Sequence, residues 1–371
     1  MNPHLRRRTL VTGTAAAALG GCSARPATGE RPTADPAPVP HPAGVTTPPP
    51  DRAVFAAFDL PAGRGDLLGR LADRIGAVHG SGSATVTLAA GASLFDDRFG
   101  LTGARPRRLT AMPSFAGDLL DPGQCHGDLL LQICAPASDR IAPVLADLGK
   151  GLAARWRIDG FRQENTVTAA GLPSTRNLFG FREGAGNPDP ADAALMDRLV
   201  WTDGADGEPA WTVGGTYQVV RLIRFAVELW NRDPVPVQER ILGRRRSGGA
   251  SLGGEAEDAR TGYAADPDGA VTPLDAHIRR ADPRTAESER HRILRRGYSY
   301  RRNDADQGLI FVCFQRDPES GFAATQRRLT GEILDRYVLP FGGGYWFVPP
   351  SPASLATLTG RSAPRSGPVS G

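Results

Sequence analysis

The sequence predicts an α+β protein made of two related units, each a sheet with helices on one face. Three observations carry that expectation. Apolar runs of strand length occur in both halves of the chain. Each half also contains segments whose apolar residues recur at helical spacing, and long stretches with little to bury lie between these runs. No internal sequence repeat is visible, so the duplication rests on the order of elements alone.

In the first half, "RAVFAAFDL" alternates as a strand does, and "DLLGRLADRIGAV" places Leu67, Leu68, Leu71, Ile75 and Val78 on one helical face. "ATVTLAAG" and "GDLLLQICA" read as strands, "DRIAPVLADLGKGLAARW" as a helix and "RIDGFRQ" as a further strand. In the second half, "YQVVRLIRFAVEL" reads as a strand, "VQERILG" as a short helix, "GLIFVCFQRDP" as a strand and "AATQRRLTGEILDRYV" as a helix. The segments with little core run from Pro173 to Gly215 and from Gly243 to Arg290. Long irregular stretches inside a compact domain are usually functional or disordered.

The chain begins "MNPHLRRRTLVTGTAAAALGGCSARP", a basic stretch followed by an apolar run from Leu10 to Leu19. That run is far short of the ~20 residues that cross a bilayer, so it reads as an export signal. Arg6, Arg7 and Arg8 before Thr9 and Leu10 resemble a twin-arginine signal, whose pathway carries folded proteins. "LGGC" resembles a lipoprotein processing site that would lipidate Cys22, with ordinary cleavage nearby as the alternative. The expected location is extracytoplasmic: envelope, periplasm or secreted. Residues 23–50 read as a Pro-rich linker, 51–172 and 173–350 as the two halves of the folded part, and 351–371 as a disordered tail.

Lysine plus arginine number 44 against 40 acidic residues, a net charge of +4, and three of the positive charges are the signal arginines. A near-neutral mature chain gives no case for nucleic acid as a partner. Hydrophobic residues make up 40% of the sequence, enough for a real core. Beyond Cys22, Cys125, Cys134 and Cys313 form an odd set without a CxxC, which argues against a disulfide framework and a zinc site. Cys134 and Cys313 lie in strand-like runs and read as buried thiols.

Six histidines allow each to be judged. His4 falls in the signal and His41 in the linker; His79 reads as a loop residue and His126 as a turn cap. His277 and His291 remain, in "DAHIRRADPRTAESERHRILRRGYSY". No HExxH, Cys/His cluster or calcium loop is present, nor a GxSxG elbow or P-loop. Haem stays open, because the porphyrin supplies four ligands and one axial histidine suffices. On spacing alone, Glu183 in "GFREGAGNP" is either a solvated loop carboxylate or a site acid. His277 is either a surface histidine or a ligand.

"GFREGAGNP", "DAHIRRADPR" and "ILRRGYSY" resemble the signature segments of the dye-decolourising peroxidase family. "HPAGV", "SLFDDRFGL", "GDLLLQICA", "GRRRSGGASLGG", "GLIFVCFQRDP" and "FGGGYWFVPP" extend the resemblance in family order from His41 to Pro350. With the twin-arginine signal, the chain is similar to the exported branch that serves iron uptake, also described as deferrochelatases. The resemblance implies two ferredoxin-like units, a dimeric α+β barrel-type fold, and one haem b in the second half. It implies His277 as the proximal iron ligand, Glu183 as the distal acid and Arg295 as the distal arginine, with Arg296 the neighbour a one-residue error would select. Gly184, Ala185 and Gly186 would line the haem face, Asp282, Pro283 and Arg284 would lie near a propionate, Arg224 would be a propionate partner and Asp335 would orient His277.

The activity implied is reduction of hydrogen peroxide with oxidation of phenolic, dye-like or metal substrates. Release of iron from haem beside an iron permease, or haem carriage without catalysis, are the alternatives, and a homo-oligomer is compatible with each. A distal carboxylate would move a proton between the two peroxide oxygens, and Arg295 would favour its ionised form. Glycines beside it would let the backbone approach the porphyrin. Most of the family has Asp where this chain has Glu183. The added torsion predicts a slower peroxidase that Glu183→Asp would speed, since an ångström of misplacement can cost ~10²-fold. Trp156, Trp201, Trp211, Trp230 and Trp346 read as packing residues first, and Tyr298 and Tyr300 as the residues to test for radicals.

Overall fold

The computed structural model describes residues 41–61, 67–259 and 262–360. The expected export signal and Cys22 lie outside the described residues. In chain order, β1 (Arg52–Asp59), α1 (Leu67–Ser81), β2 (Thr85–Gly91), β3 (Leu129–Ala135), α2 (Ser138–Leu148) and β4 (Ala153–Phe161) form a first unit. Strands β5 (Gln163–Val167), β6 (Pro173–Arg176), β7 (Arg182–Glu183) and helix α3 (Ala193–Leu199) follow. The second unit contains β8 (Thr216–Phe225), α4 (Val227–Arg232), α5 (Val235–Leu242), α6 (His277–Ala281), α7 (Ala286–Arg290) and β9 (Leu294–Arg295). It ends with β10 (Tyr298–Arg301), β11 (Gln307–Gln315), α8 (Ala324–Leu329), β12 (Val338–Val348) and α9 (Pro352–Gly360).

The main sheet runs β10-β4-β1-β3-β2-β12-β8-β11-β9, and a further β10–β11 pairing closes eight of these strands into an antiparallel barrel. Within it, β4-β1-β3-β2 and β12-β8-β11-β10 repeat one strand order, the ferredoxin-like order expected from the sequence. The two sets join where β2 meets β12 and β4 meets β10. Side chains alternate across each strand, so one set of residues fills the barrel and the other faces out. Phe55, Leu130, Trp156, Leu222, Tyr298, Val312 and Trp346 are buried inside. On the outside of the first unit, Leu71 and Ile75 of α1 and Ile141 of α2 pack on Val54, Leu131 and Ile133.

Several boundaries differ from the sequence reading, each for a local reason. The predicted helix 139–156 stops at Leu148, because Gly149 caps it and Gly151, at φ +78, turns the chain so that Trp156 pairs with Ala57 in the sheet. The predicted helix 323–338 breaks at Thr330–Gly331, where Gly331 has φ +77, and resumes as a short turn over Ile333–Arg336. The linker does not extend to residue 50. From His41 the segment is packed: the His41 ring stacks on Trp201 at 4.1 Å, Thr87 Oγ1 donates to Ala43 O at 2.8 Å, and Asn165 Nδ2 donates to Pro49 O at 3.0 Å. Residues expected in the tail are also ordered, since α9 packs on α1 and buries Leu355; the rest of the expected tail lies outside the described residues. Cys125, Cys134 and Cys313 are free and buried.

Candidate active site

On the outer face of β8 and β11, where the first unit carries its helices, the second unit encloses a cavity of about 340 Å³. Arg221, Ile223 and Phe225 of β8 and Leu309 and Phe311 of β11 form its floor. The small sheet β5-β6-β7, β9 and the loops around them make one wall; α6 and the turn after α8 make the other. Thr46, Thr47 and Pro49 of the N-terminal segment close part of the rim, held by the buried Arg296, which donates to Thr47 O and Pro48 O.

Glu183 lies at the end of β7, opposite Thr175 of β6. Its Oε1 accepts from Asn177 Nδ2 at 2.9 Å. Two glycines at positive φ shape the turn that follows: Gly184 at +123 and Gly186 at +82. A Cβ on Gly184 would come within 2.0 Å of Pro173 O, so that glycine is required by the neighbouring strand and not by a ligand's approach. At Gly186 the nearest atom to such a Cβ is Arg295 Nη2 at 3.7 Å, so there the wall is open.

Arg295 is fixed on the same wall by one asparagine. Asn187 Oδ1 accepts from its backbone N at 3.1 Å and from its Nε at 3.2 Å, and Asn187 Nδ2 donates to Arg295 O at 2.8 Å. Arg295 Nη2 donates to Ala185 O at 2.6 Å. Burial pulls the Arg295 pKa down, and the nearby Glu183 and Asp282 carboxylates only partly restore it.

Across the cavity, His277 opens α6 and its Nδ1 lies 2.9 and 3.0 Å from the two carboxylate oxygens of Glu332. Burial pulls the imidazole pKa down, but the charge and hydrogen bond of Glu332 outweigh it and leave His277 above its ordinary value. Glu332 is itself buried, presented by the break at Gly331. Reciprocal arginine bonds lock the two segments together. Arg280 Nε donates to Arg328 O at 2.8 Å, and Arg328 donates to Arg280 O at 3.2 Å and to Ala281 O at 2.9 Å. Asp335 is not the partner of His277. Its carboxylate is committed to the Gly331 N–H at 2.9 Å, and burial raises its pKa.

Asp282 and Arg284 line the cavity and approach each other at 3.2 Å, whereas Pro283 is not among the lining residues. Arg244, in the segment of low core, also lines it, donating to Gly249 O at 2.6 Å and Glu257 O at 3.2 Å. Burial, with repulsion from Arg295 and Arg284, brings the Arg244 pKa down to about 10, which still leaves it cationic at neutral pH. Arg224 does not reach the cavity. Strand alternation turns it to the opposite face from Arg221, Ile223 and Phe225, where it pairs with Asp306 at 3.2 Å over the Phe341 ring.

The structure therefore brings Glu183, Arg295, His277, Asp282 and Arg284 together with Gly184, Ala185 and Gly186 around one space. His291 lines it as well; His79 instead accepts from Val86 N at 3.0 Å. Sequence reasoning missed Asn177, Asn187, Arg162, Arg244 and Glu332. Two of these carried a signal: Asn177 begins "NLFG", a turn pattern, and Glu332 follows a glycine inside a helix-like run. A base, a guanidinium and a carboxylate-bound imidazole across one cavity can move protons at one face of a flat ligand while holding a metal at the other.

Two family models match the chain. Residues 42–162 match "Dyp-type peroxidase, N-terminal" and residues 174–353 match "Dyp-type peroxidase, C-terminal". A deferrochelatase of Shigella flexneri serotype 5b is 46% identical over 75% of this chain and 68% of its own length. The deferrochelatase of Escherichia coli K12 is 48% identical over 72% of the chain and 65% of its own length. This chain thus spans about two thirds of the length of those relatives. The solved structure of ferric DtpA from Streptomyces lividans superposes with a TM-score of 0.73 at 33% identity, over 84% of this chain and 93% of that one. With two family models covering most of its length, the chain belongs to the Dyp-type peroxidase family, oxidoreductases that act on peroxide.

Proposed function

We propose that the protein holds one haem b per chain in this cavity and reduces hydrogen peroxide, oxidising phenolic, dye-like or metal substrates. The observation that carries this reading is the placement of His277 with Glu332 on one wall and Glu183 with Arg295 on the other. The residues fit the group. His277 has Nδ1 engaged, leaving Nε2 as the ligating atom, and Arg244 and Arg284 supply cations for propionates. Asp282 and the open backbone at Gly186 complete the surround.

Haem supplies the redox chemistry when bound. The protein's own residues handle protons and charge. Glu183 would accept a proton from one oxygen of hydrogen peroxide and return it to the other. Arg295, clamped by Asn187 beside Glu183, would stabilise negative charge developing on the departing oxygen. Glu332 would accept the hydrogen bond from the Nδ1–H of His277, fixing the tautomer and making Nε2 a stronger ligand.

A second reading, release of iron from haem with the porphyrin intact, is favoured by the two deferrochelatase relatives. Export by the twin-arginine route, a lipid on Cys22, a permease partner and self-association belong to the same proposal and rest on the sequence. Haem-loaded protein incubated with peroxide and a phenol, and separately assayed for metal-free porphyrin, tests both readings. Peroxide-dependent phenol oxidation without free porphyrin supports the first, and intact porphyrin with released iron supports the second. Neither product would overturn both.

A further inference from the structure

Asn177 is a side chain with no freedom left. Its Oδ1 accepts from the Phe179 N–H at 3.0 Å and the Phe181 N–H at 3.1 Å, and its own N–H donates to Phe181 O at 2.9 Å. With Oδ1 taken by two donors, the amide orientation is fixed, and Nδ2 must be the group that meets Glu183 Oε1 at 2.9 Å. A donor held this firmly and aimed at one carboxylate oxygen immobilises that carboxylate. The second oxygen makes no hydrogen bond among the described residues; it lies beside Gly297, where a Cβ would sit 3.6 Å from Oε2, and both residues line the cavity.

We propose that Asn177 is the positioning residue of the distal acid: it pins Oε1 and leaves Oε2 as the single working base. This rests on Glu183 being the proton-handling group. It reverses the expectation that the extra methylene of Glu183 is a handicap. The added torsion is fixed by the Asn177 bond, so Glu183→Asp, which shortens the reach to Asn177, slows the peroxide reaction.

The charged groups facing Glu183 are Arg295 from β9, Arg162 at the end of β4 and, across the cavity, His277 from α6. Arg162 is anchored to Asn165 Oδ1 at 2.9 Å and Gly297 O at 2.8 Å. None of the three hydrogen-bonds to Glu183, so Asn177 supplies its geometric anchor.

Asn177→Asp separates this role from turn capping, because the new carboxylate still accepts from both backbone N–H groups. It places a second acid against Glu183, and two such groups share a proton. In haem-loaded protein the acid limb of the peroxide-reaction rate then moves to higher pH, and the rate at pH 7 falls by on the order of 10²-fold. Infrared spectra at pH 7 gain a protonated-carboxyl band absent from the wild type and lost again in Asn177→Asp combined with Glu183→Gln. A variant with wild-type pH profile and infrared spectrum would overturn the proposal and leave Asn177 as a turn cap. The infrared coupling reads the pair whether or not peroxide reacts. Failure of the peroxidase reading would instead appear as Glu183→Gln retaining the wild-type peroxide rate.

Discussion

The two units of the barrel share one strand order and differ on their outer faces. In the first, α1 and α2 lie on the sheet and bury it with Leu71, Ile75, Ile141 and Val144. In the second, the corresponding face of β8 and β11 carries Arg221, Ile223 and Leu309, and the helices around it are short: five residues in α6 and six in α8. The space left open becomes the site. One fold thus serves as a packed support in one copy and as a cavity in the other, and the chemistry comes from the irregular segments that bound the second.

The comparison breaks most sharply along single strands and helices. Arg221 and Asp118 form an ion pair with side chains 1% and 0% exposed at the cavity floor, and breaking such a pair costs about 3–5 kcal/mol. Arg221→Ala should lower unfolding stability by that amount in urea titration. Arg224→Ala, three residues on and 42% exposed beside Asp306, should cost at most about 1 kcal/mol and leave haem affinity unchanged. In the first unit, Leu71→Ala removes a side chain 1% exposed, so it should cost about 2–5 kcal/mol with haem affinity intact. A loss of haem affinity from Leu71→Ala would mean that the two units are not functionally separate.

Smaller changes sharpen the picture on the site side. Glu332→Gln should weaken haem retention or activity by about 10–100-fold, measured by haem transfer to an acceptor protein, with Asp335→Asn close to wild type. In the haem-free protein the His277–Glu332 pair also has a pH signature. His277 is raised in the folded state, so the pair's stabilisation is fully present below the ordinary imidazole value of ~6.5 and is lost as pH rises through the folded value. The stability gap between wild type and Glu332→Gln should therefore narrow with rising pH.

The sheet and its duplication were legible because strand runs such as "GDLLLQICA" and "GLIFVCFQRDP" are long and apolar. The first-unit helix was legible for the matching reason, its one-sided spacing. His277, Glu183 and Arg295 were legible through family signatures and not through physics, since a lone histidine or glutamate in a loop carries no periodic signal. Glu332 was hidden because its segment has helical composition, and only Gly331 marks the break that aims its carboxylate at His277. Arg224 was misplaced because a strand presents alternate residues to opposite faces, and the odd spacing of three residues puts Arg221 at the cavity and Arg224 on the other face. The segment from His41 to Pro50 looked like a linker by composition, yet proline-rich chain packs well once backbone carbonyls such as Thr47 O find a buried donor in Arg296.

The central claim is that Glu183 and His277 work on opposite faces of one bound haem. Stopped-flow spectra of haem-loaded wild type and Glu183→Gln, each mixed with one equivalent of hydrogen peroxide, test it directly. The account predicts a Soret band that drops and shifts in the wild type, and the same change slowed about 10²–10⁴-fold in the variant. Equal rates in the two proteins, or a wild-type band that persists unchanged, would contradict it.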